Sequence, residues 1–306
     1  MSASGGKKAI FAALSANAGI AVAKFVGALI TGSGSMLAEG VHSLADTGNQ
    51  GLLLLGQKRA EQEADDLHPF GYGRNRYFYS FVVALVLFTL GSMYAIWEGI
   101  HKIQHPEELN SPIVAVVILA VAAVLEGYSF VTAMRESATL RGNTGWWRFI
   151  RNSRNPELPV VMLEDTGALI GLLIALIAVL LTMITDNPTW DGIGTLGIGV
   201  LLGGIAVVLI VEMKSLLIGE GATPDQVRAI RENLIDGTRI DRVIHLRTEY
   251  LGPEELLVAA KVAIVPGLEI GDVAAAIDAA EERVRVAVPI ARLMYIEPDL
   301  YRTQPA

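Results

Sequence analysis

The stretch LPVVMLEDTGALIGLLIALIAVLLTMITDNPTWDGIGTLGIGVLLGGIAVVLIVEM, residues 158–213, decides the class of fold. It contains two long apolar runs, 158–184 and 191–213, divided by the short polar segment DNPTWD. A helix needs roughly 20 mostly apolar residues to cross a bilayer. Asn, Pro and Asp between the runs are typical of a turn. The stretch therefore predicts two membrane-spanning helices joined by a tight connection.

Four earlier segments have the same character and precede this pair. Gly, Pro, Asn and Asp are concentrated between them, as in TGSGS (31–35) and HPEELNSP (105–112). The first run is too long for the apolar part of a secretory signal and is interpreted as a spanning helix. The sequence thus predicts an α-helical membrane protein with six transmembrane helices, the first four over residues 9–31, 35–56, 77–100 and 112–134.

Basic residues predict how these helices are oriented. The loops after the second and fourth helices are rich in arginine and lysine, whereas the three opposite loops together offer only Lys102. Positively charged loops stay on the cytoplasmic side of a membrane. Both chain termini are then expected in the cytoplasm, and the inner (plasma) membrane of a bacterium is the expected location. The basic loop residues are Lys58, Arg59, Arg74, Arg76, Arg135, Arg141, Arg148, Arg151 and Arg154.

The composition changes after the sixth helix. We expect a transmembrane domain over residues 1–215 and a small soluble domain over 216–306. Thr223, Pro224 and Gln226 form the pattern of a capped helix start. Two β-rich runs, a second helix and a last strand follow, giving the order α-β-β-α-β. That order predicts a small α/β domain with both helices on one face of a sheet.

The overall composition excludes several classes of function. The chain has 306 residues, no cysteine and a formal net charge of −8. Thiol catalysis, disulfides and thiolate metal sites are therefore excluded. A partner nucleic acid is not expected, because binding one requires a basic face. Any metal must be bound by histidine and carboxylate side chains.

Ionisable side chains inside the second predicted helix are the strongest functional signal. His42 and Asp46 are four residues apart, so they lie on one helix face. Asn49 extends that face by about a turn, and Glu39 lies nearer the outer side. A neutral imidazole and a carboxylate are suitable ligands for a divalent ion. The alternative is a His–Asp pair that only cross-links helices.

The fifth predicted helix carries two adjacent carboxylates, Glu164 and Asp165. Adjacent residues point about 100° apart on a helix, so we expect only one of them to face a shared site well. Together with His42 and Asp46 they would place acidic groups from two helices at similar depth. Charged groups at that depth are costly and usually mark a path for ions.

Three other features of the membrane segments have simpler interpretations. Glu126, in the fourth helix, could relay protons or hydrogen-bond a neighbouring helix. Lys24 is expected to extend its ammonium group toward a membrane interface. The glycines of the sixth helix are expected to allow close helix packing; they include Gly199, Gly203 and Gly204.

The layout resembles the cation diffusion facilitator family. SMLAEGVHSLADTGNQ and HPFGYGR look like segments of that family. The resemblance implies six membrane helices, a cytoplasmic ferredoxin-like domain and a homodimer. It also implies that His42, Asp46 and Asp165 are metal ligands. Glu164 beside Asp165, with YIEPD near the end, resembles the branch that contains mitochondrial zinc transporter nine.

The sequence departs from the family pattern at Val161. Zinc-transporting members usually have another ligand at this position of the fifth helix, and valine cannot coordinate a metal. Glu164, Asn49 or a water molecule could take the missing position. The resemblance therefore leaves the identity of the metal open, with zinc first and manganese, iron, cobalt or cadmium as alternatives.

Two accessory sites of the family are incomplete in this sequence. Asp65 and His68 match a metal-binding loop, but Tyr72 stands where a second histidine would be. In the soluble domain only His245 remains, and Tyr295 stands where the last strand would offer another. We interpret the loop as solvated and the domain as serving dimerisation.

The predicted function is zinc efflux, with zinc exchanged for protons by alternating access of the site to the two sides of the bilayer. The metal would be a transported substrate, and no cofactor or enzymatic activity is expected. One alternative is a membrane-embedded metal-dependent hydrolase, although the sequence contains neither HExxH nor a serine-elbow motif. The second alternative is a scaffold protein, which would leave the charges in helices two and five unexplained.

Overall fold

The computed structural model describes residues 18–141, 145–146 and 154–301. The start of the first predicted span, and Arg148 and Arg151 of the fourth-to-fifth connection, lie outside these residues. The helices of the membrane part are α1 (Ala18–Thr31), α2 (Gly34–Ala60), α3 (Asn75–Gln104), α4 (Pro112–Arg141), α5 (Glu157–Thr185) and α6 (Thr189–Ile218).

Within the described residues, three helices are long and apolar enough to cross a membrane: α3, α5 and α6. The apolar parts of α1 and α4 are shorter, at Ala18–Thr31 and Pro112–Tyr128. The predicted runs 158–184 and 191–213 correspond closely to α5 and α6. The protein is therefore mostly helical, with three strongly apolar helices ahead of a small mixed sheet.

A π-helical segment, Leu87–Met93, interrupts α3 and was not predicted. It lies where α3 packs on α6, and the Ser92 hydroxyl donates a hydrogen bond of 2.9 Å to the carbonyl of Gly199. Such segments widen one helical turn and change the direction of nearby side chains. No periodicity of apolar residues signals one.

Glycines of α6 allow its backbone to approach α3 closely. A Cβ atom added at Gly199 would lie 2.7 Å from the backbone nitrogen of Ile96, and one at Gly203 would lie 2.7 Å from the Ser92 hydroxyl. A Cβ atom added at Gly204 would have no described atom within 4 Å. The packing role predicted for Gly204 is therefore wrong, because one residue of rotation turns that position away from α3.

Replacing Gly199 by alanine should destabilise the contact of α3 with α6. The new methyl group meets backbone atoms that cannot move aside, so we expect a loss of about 1–3 kcal/mol. Gly204→Ala is the matched control, and it should be neutral or stabilising because alanine favours a helix. Thermal unfolding of the two purified variants in detergent tests this. Equal midpoints for the two variants would contradict the packing.

Asp191, at the start of α6, anchors the connection between α1 and α2. Its buried carboxylate accepts hydrogen bonds from the Ser33 hydroxyl at 2.7 Å, the Gly34 amide at 2.6 Å and the Ser35 hydroxyl at 2.5 Å. Two of these donors belong to the first turn of α2, where a negative charge is favourable. Lys102 of α3 lies 3.6 Å from the same carboxylate. Asp191 thus joins α6 to the α1–α2 connection, to the start of α2 and to the end of α3.

The C-terminal residues form the predicted order of elements, and that prediction is confirmed. They are α7 (Pro224–Leu234), β1 (Ile240–Gly252), β2 (Glu255–Ile264), α8 (Ile270–Ala287) and β3 (Leu293–Asp299). The sheet order is β1-β2-β3, with β1 antiparallel and β3 parallel to β2. The predicted capping box of Thr223 and Gln226 is also present.

One apolar core holds this C-terminal unit together. Alternate residues of β2 are buried, from Leu256 to Val262, so a single face of the sheet is covered. Ile230 and Leu234 of α7 and Val284 of α8 pack in the same core. Both helices therefore lie on one face of the sheet, as the sequence predicted.

The connection between α2 and α3 belongs to the same compact unit as the C-terminal residues. That unit comprises Lys58–Tyr77 and the chain from Ser215 onward. Arg74 forms an ion pair with Glu249 of β1, and the backbone at Gly73 packs directly on Leu251. The chain therefore enters the C-terminal unit twice, a grouping that the sequence did not reveal.

Candidate metal centre

A small buried cavity lies between α2, α4 and α5. Its volume is about 20 Å³, enough for one water-sized sphere or one small cation. Seven residues line it: Ser43, Asp46, Gln50, Glu126, Val161, Glu164 and Asp165. Of its four carboxylic acids, Asp46, Glu164 and Asp165 are the ones that the sequence predicted as metal ligands.

The His42–Asp46 pair has the geometry expected of residues one helical turn apart. His42 Nδ1 lies 3.5 Å from Asp46 Oδ1, and the imidazole is fully buried. Neither ring nitrogen has a hydrogen-bond partner among the described residues. His42 itself does not line the cavity, so Asp46 is the member of the pair that reaches the open space.

Glu164 reaches the cavity from α5 and is held in place by α2. Its side chain is almost completely buried, and Asn49 Nδ2 donates a hydrogen bond of 2.7 Å to Glu164 Oε1. This bond directs the carboxylate toward the face of α2 that carries Asp46. Asn49 therefore positions Glu164, and its own carbonyl oxygen remains without a donor in the described part of the chain.

Both adjacent carboxylates of α5 line the cavity, contrary to the expectation that only one would face it. Val161, Glu164 and Asp165 have the spacing i, i+3, i+4, which places them on one helix face. The cavity lies opposite that face, so Glu164 and Asp165 flank it. The angle between two adjacent residues does not show this, because Val161 lies between Glu164 and Asp165 on the helix surface and marks the centre of the shared face.

Unpaired polar atoms are concentrated around this cavity. Asp46 Oδ1, Asp165 Oδ2 and both His42 nitrogens are buried and lack partners among the described residues. Each such group costs about 1–3 kcal/mol when it is left unsatisfied, and more when it is charged. A cluster of them indicates a site built for a bound ion or water rather than for packing.

The acidic groups are not closed around a single point. In the described residues, no group of three His, Cys, Asp or Glu side chains is close enough to hold a metal ion together. The site is thus an open arrangement of carboxylates around a cavity, with Val161 on its wall instead of a further ligand.

Lys24 is paired inside the protein, so the prediction that it extends to an interface is wrong. Its ammonium group lies 3.1 Å from Glu39 Oε2 and donates a hydrogen bond of 2.7 Å to the Ser43 hydroxyl. Both charged side chains are fully buried. A buried carboxylate in reach of a flexible lysine offers a better partner than the distant interface.

Several residues of the site were missed or left open by the sequence. Ser43 and Gln50 lie three residues before and four residues after Asp46, so helical spacing alone could have found them. Glu126 was assigned two possible roles, and the structure places it on the cavity wall. Lys24 carried the same signal as His42, a charge within an apolar run.

The loop at Asp65 is organised by hydrogen bonds of its own. Asp65 accepts bonds from the His68 amide at 2.6 Å and from the Tyr72 hydroxyl at 2.7 Å. The Tyr72 bond, followed by the backbone bond, lowers the pKa of the Asp65 carboxyl. Both Asp65 carboxylate oxygens therefore already accept hydrogen bonds within the loop. One of these bonds comes from Tyr72, the residue at the position where the resemblance predicts a second histidine.

The candidate residues of the C-terminal unit lie on the open face of the sheet. His245, Tyr295 and Glu297 line a shallow depression of about 280 Å³. Glu297 is paired with Lys261 at 2.9 Å, and Asp299 lies 3.1 Å from the same ammonium. These carboxylates raise the pKa of Lys261. The acidic groups near His245 are thus neutralised by a lysine.

Charged side chains buried among apolar helices usually mark a path for ions. A family model, the cation efflux transmembrane domain, matches residues 10–218. This match covers more than half of the chain. The chain belongs to the cation efflux family, the cation diffusion facilitators, and the resemblance seen in the sequence is confirmed.

Relatives with similar sequences occur in an animal, a plant and a bacterium. The chain is 38% identical over 225 residues to the mitochondrial proton-coupled zinc antiporter SLC30A9 of Mus musculus, covering 72% of the chain and 39% of that protein. It is 30% identical over 226 residues to metal tolerance protein C4 of Arabidopsis thaliana, covering 71% of the chain and 48% of that protein.

A third relative is aligned over more of its own length. Identity to magnetosome protein MamB of Magnetospirillum gryphiswaldense is 23% over 268 residues, covering 86% of the chain and 84% of that protein. By contrast, the chain spans well under half of the mouse antiporter. None of these three relatives is an enzyme by name.

Proposed function

We propose that this protein transports a divalent metal ion, zinc before others, in exchange for protons. The observation that carries the proposal is the buried cavity bordered by Asp46, Glu164 and Asp165, two of which have a buried oxygen without a partner among the described residues. A dication would satisfy these atoms and neutralise carboxylates that are otherwise costly inside a membrane. The name of the mouse relative, a proton-coupled zinc antiporter, supports the same choice.

The proposed ligands are Asp46, Asp165 and His42, with Glu164 as the further carboxylate. Binding requires these groups to draw together, since the three carboxylates border the cavity without closing on one point and His42 lies behind Asp46. His42 must turn one ring nitrogen toward the ion that Asp46 already faces. Asn49 keeps Glu164 within reach during that change.

Proton exchange follows from the chemistry of the ligands. A metal binds ionised carboxylate and neutral imidazole, so it displaces protons, and protons displace it. A site open to the cytoplasm would load metal and release protons there. After helix rearrangement, protons from the other side would release the metal. The carrier would thus move the two cations in opposite directions.

The proposal includes an architecture of six spanning helices, α1 to α6, with both termini in the cytoplasm of a bacterial cell. The C-terminal unit would be a ferredoxin-like domain that forms a homodimer. Its order of elements and its single covered sheet face support this assignment. The pairing of Glu297 with Lys261 speaks against metal sensing by this unit, because the Glu297 carboxylate near His245 is already neutralised.

The combination of histidine and carboxylate ligands favours zinc. Val161 makes this preference weaker, because valine cannot supply a further protein ligand. Tetrahedral sites with four protein ligands suit zinc, whereas oxygen-rich sites that keep water also accept manganese, iron or cobalt. We therefore propose zinc as the main substrate and a broader range of divalent ions than in a relative with four protein ligands.

Metal uptake by proteoliposomes tests the function. Purified protein is reconstituted, a proton gradient is imposed, and uptake of zinc, manganese, iron, cobalt and cadmium is measured in parallel. We expect an outward-directed proton gradient to accelerate zinc uptake, and an ionophore that dissipates this gradient to remove the acceleration. Metal uptake that ignores the gradient would contradict proton exchange, and uptake equal to that of protein-free liposomes would contradict transport.

A further inference from the structure

Beside the proposed metal site lies a second buried charged group, formed by Lys24, Glu39 and Ser43. The ammonium of Lys24 contacts Glu39 Oε2 at 3.1 Å and Ser43 Oγ at 2.7 Å. Both charged side chains are fully buried. Metal exchange by the cavity residues uses neither of them, and a buried ion pair is by itself weak evidence of a stabilising role.

Ser43 connects this group to the cavity. Its side chain receives the lysine hydrogen bond and also lines the cavity next to Asp46. Glu39 lies one helical turn further from Asp46 than Ser43 does. Its second oxygen, Oε1, abuts α5 at Gly171, where an added Cβ would overlap it. The positive end of the ion pair is therefore the end toward the cavity.

The surrounding charges are mostly negative, and Lys24 offsets them. On α2 the neighbours are Glu39, His42 and Asp46; α4 contributes Glu126, and α5 contributes Glu164 and Asp165. A fixed positive charge beside such a set repels an arriving dication, and the repulsion is strong because the interior screens it little. A carrier needs binding that is favourable enough to load and weak enough to release.

We propose that Lys24 sets the metal affinity of this carrier. Its ammonium weakens binding at the cavity so that the ion can leave, and Glu39 holds the ammonium in position. The inference rests on the proposed function, since it concerns the same site. It assigns Lys24 and Glu39 as positioning residues that act on the ion through charge and do not ligate it.

The two single substitutions should change zinc affinity in opposite directions. In Lys24→Gln the potential at the cavity becomes more negative, whether Glu39 keeps its charge or takes a proton, so zinc should bind more tightly by on the order of tenfold. In Glu39→Gln the ammonium loses its counter-charge and zinc should bind more weakly. Affinity is measured on the purified full chain by competition with a fluorescent zinc indicator.

The double variant Lys24→Gln/Glu39→Gln decides the case if a single variant does not fold. It removes both charges together, so neither is left buried without its partner. It should bind zinc more tightly than the wild-type protein and no more tightly than Lys24→Gln. Lys102→Gln is the matched control, because Lys102 is also buried and paired, with Asp191. It should leave zinc affinity unchanged.

The outcomes separate this inference from the proposed function. If both single variants shift zinc affinity in the same direction, or the double variant matches the wild type, Lys24 only cross-links helices and the inference is overturned. If the wild-type protein does not bind zinc, or if Asp46→Ala binds zinc as tightly as the wild type, the proposed function itself fails. Tighter binding by Lys24→Gln with slower zinc release in proteoliposomes would support the inference.

Discussion

Asp46→Ala should abolish metal transport while the protein remains folded. Asp46 lines the cavity, and its Oδ1 lies 3.5 Å from His42 Nδ1. Alanine removes a charge that binds the dication and leaves His42 without its neighbour. Loss of one carboxylate ligand in a poorly screened interior is worth several kcal/mol, so zinc uptake should fall at least about a hundredfold. Initial rates in proteoliposomes measure the effect.

Asp186→Asn is the control for this substitution. Asp186 is an exposed carboxylate in the turn between α5 and α6, and asparagine tolerates its left-handed backbone conformation. Its transport should equal that of the wild-type protein. Size-exclusion chromatography and thermal unfolding establish that both variants fold. Wild-type uptake by a folded Asp46→Ala protein would refute the assignment of the site.

Glu164→Gln should weaken transport and change its pH dependence. Glutamine keeps the bond to Asn49, because its carbonyl oxygen can still accept from Asn49 Nδ2, but it removes a negative charge from the cavity. Fewer ionised groups bind the metal less tightly and exchange fewer protons. We expect at least a tenfold loss of zinc uptake at neutral pH and a shallower dependence on pH.

Val161→His should increase the preference of the protein for zinc. Val161 lines the same cavity, so an imidazole there would add a nitrogen ligand opposite Asp46. A more complete set of protein ligands favours zinc over manganese. The ratio of zinc to manganese uptake should rise in this variant. Unchanged selectivity in Val161→His, together with a wild-type pH profile in Glu164→Gln, would exclude both residues from the site.

The parts of the fold that follow from composition were predictable from the sequence. Apolar runs longer than a bilayer is thick leave few alternatives, and α5 and α6 match the predicted runs closely. The capping box of Thr223 and Gln226 was predictable for a similar reason, since its geometry is local. The order of strands and helices after Ile218 followed from the same kind of local pattern.

Features that depend on a partner helix were not predictable. Lys24 was assigned to an interface because nothing in its own helix shows that Glu39 and Ser43 lie beside it. Gly204 resembles Gly199 in the sequence, yet only Gly199 faces α3. The docking of Gly73 and Arg74 on β1 is likewise a long-range contact, which no pattern within either segment encodes.

The candidate site was partly predictable for the same physical reason. His42 and Asp46 share one helix, so their spacing determines their relation. The roles of Glu164 and Asp165 depend on where the cavity lies, and the bond from Asn49 to Glu164 joins two residues that are 115 positions apart in the sequence. Spacing identifies which residues share a face, and only packing shows what that face meets.

Proton movement driven by a zinc gradient tests the central claim most directly. Proteoliposomes containing wild-type protein and an internal pH indicator receive external zinc with no initial pH difference. Zinc entry should drive protons out, so the internal pH should rise at a rate proportional to zinc uptake, and Asp46→Ala should show neither change. Zinc uptake by the wild-type protein without any change in internal pH would contradict the exchange of metal for protons.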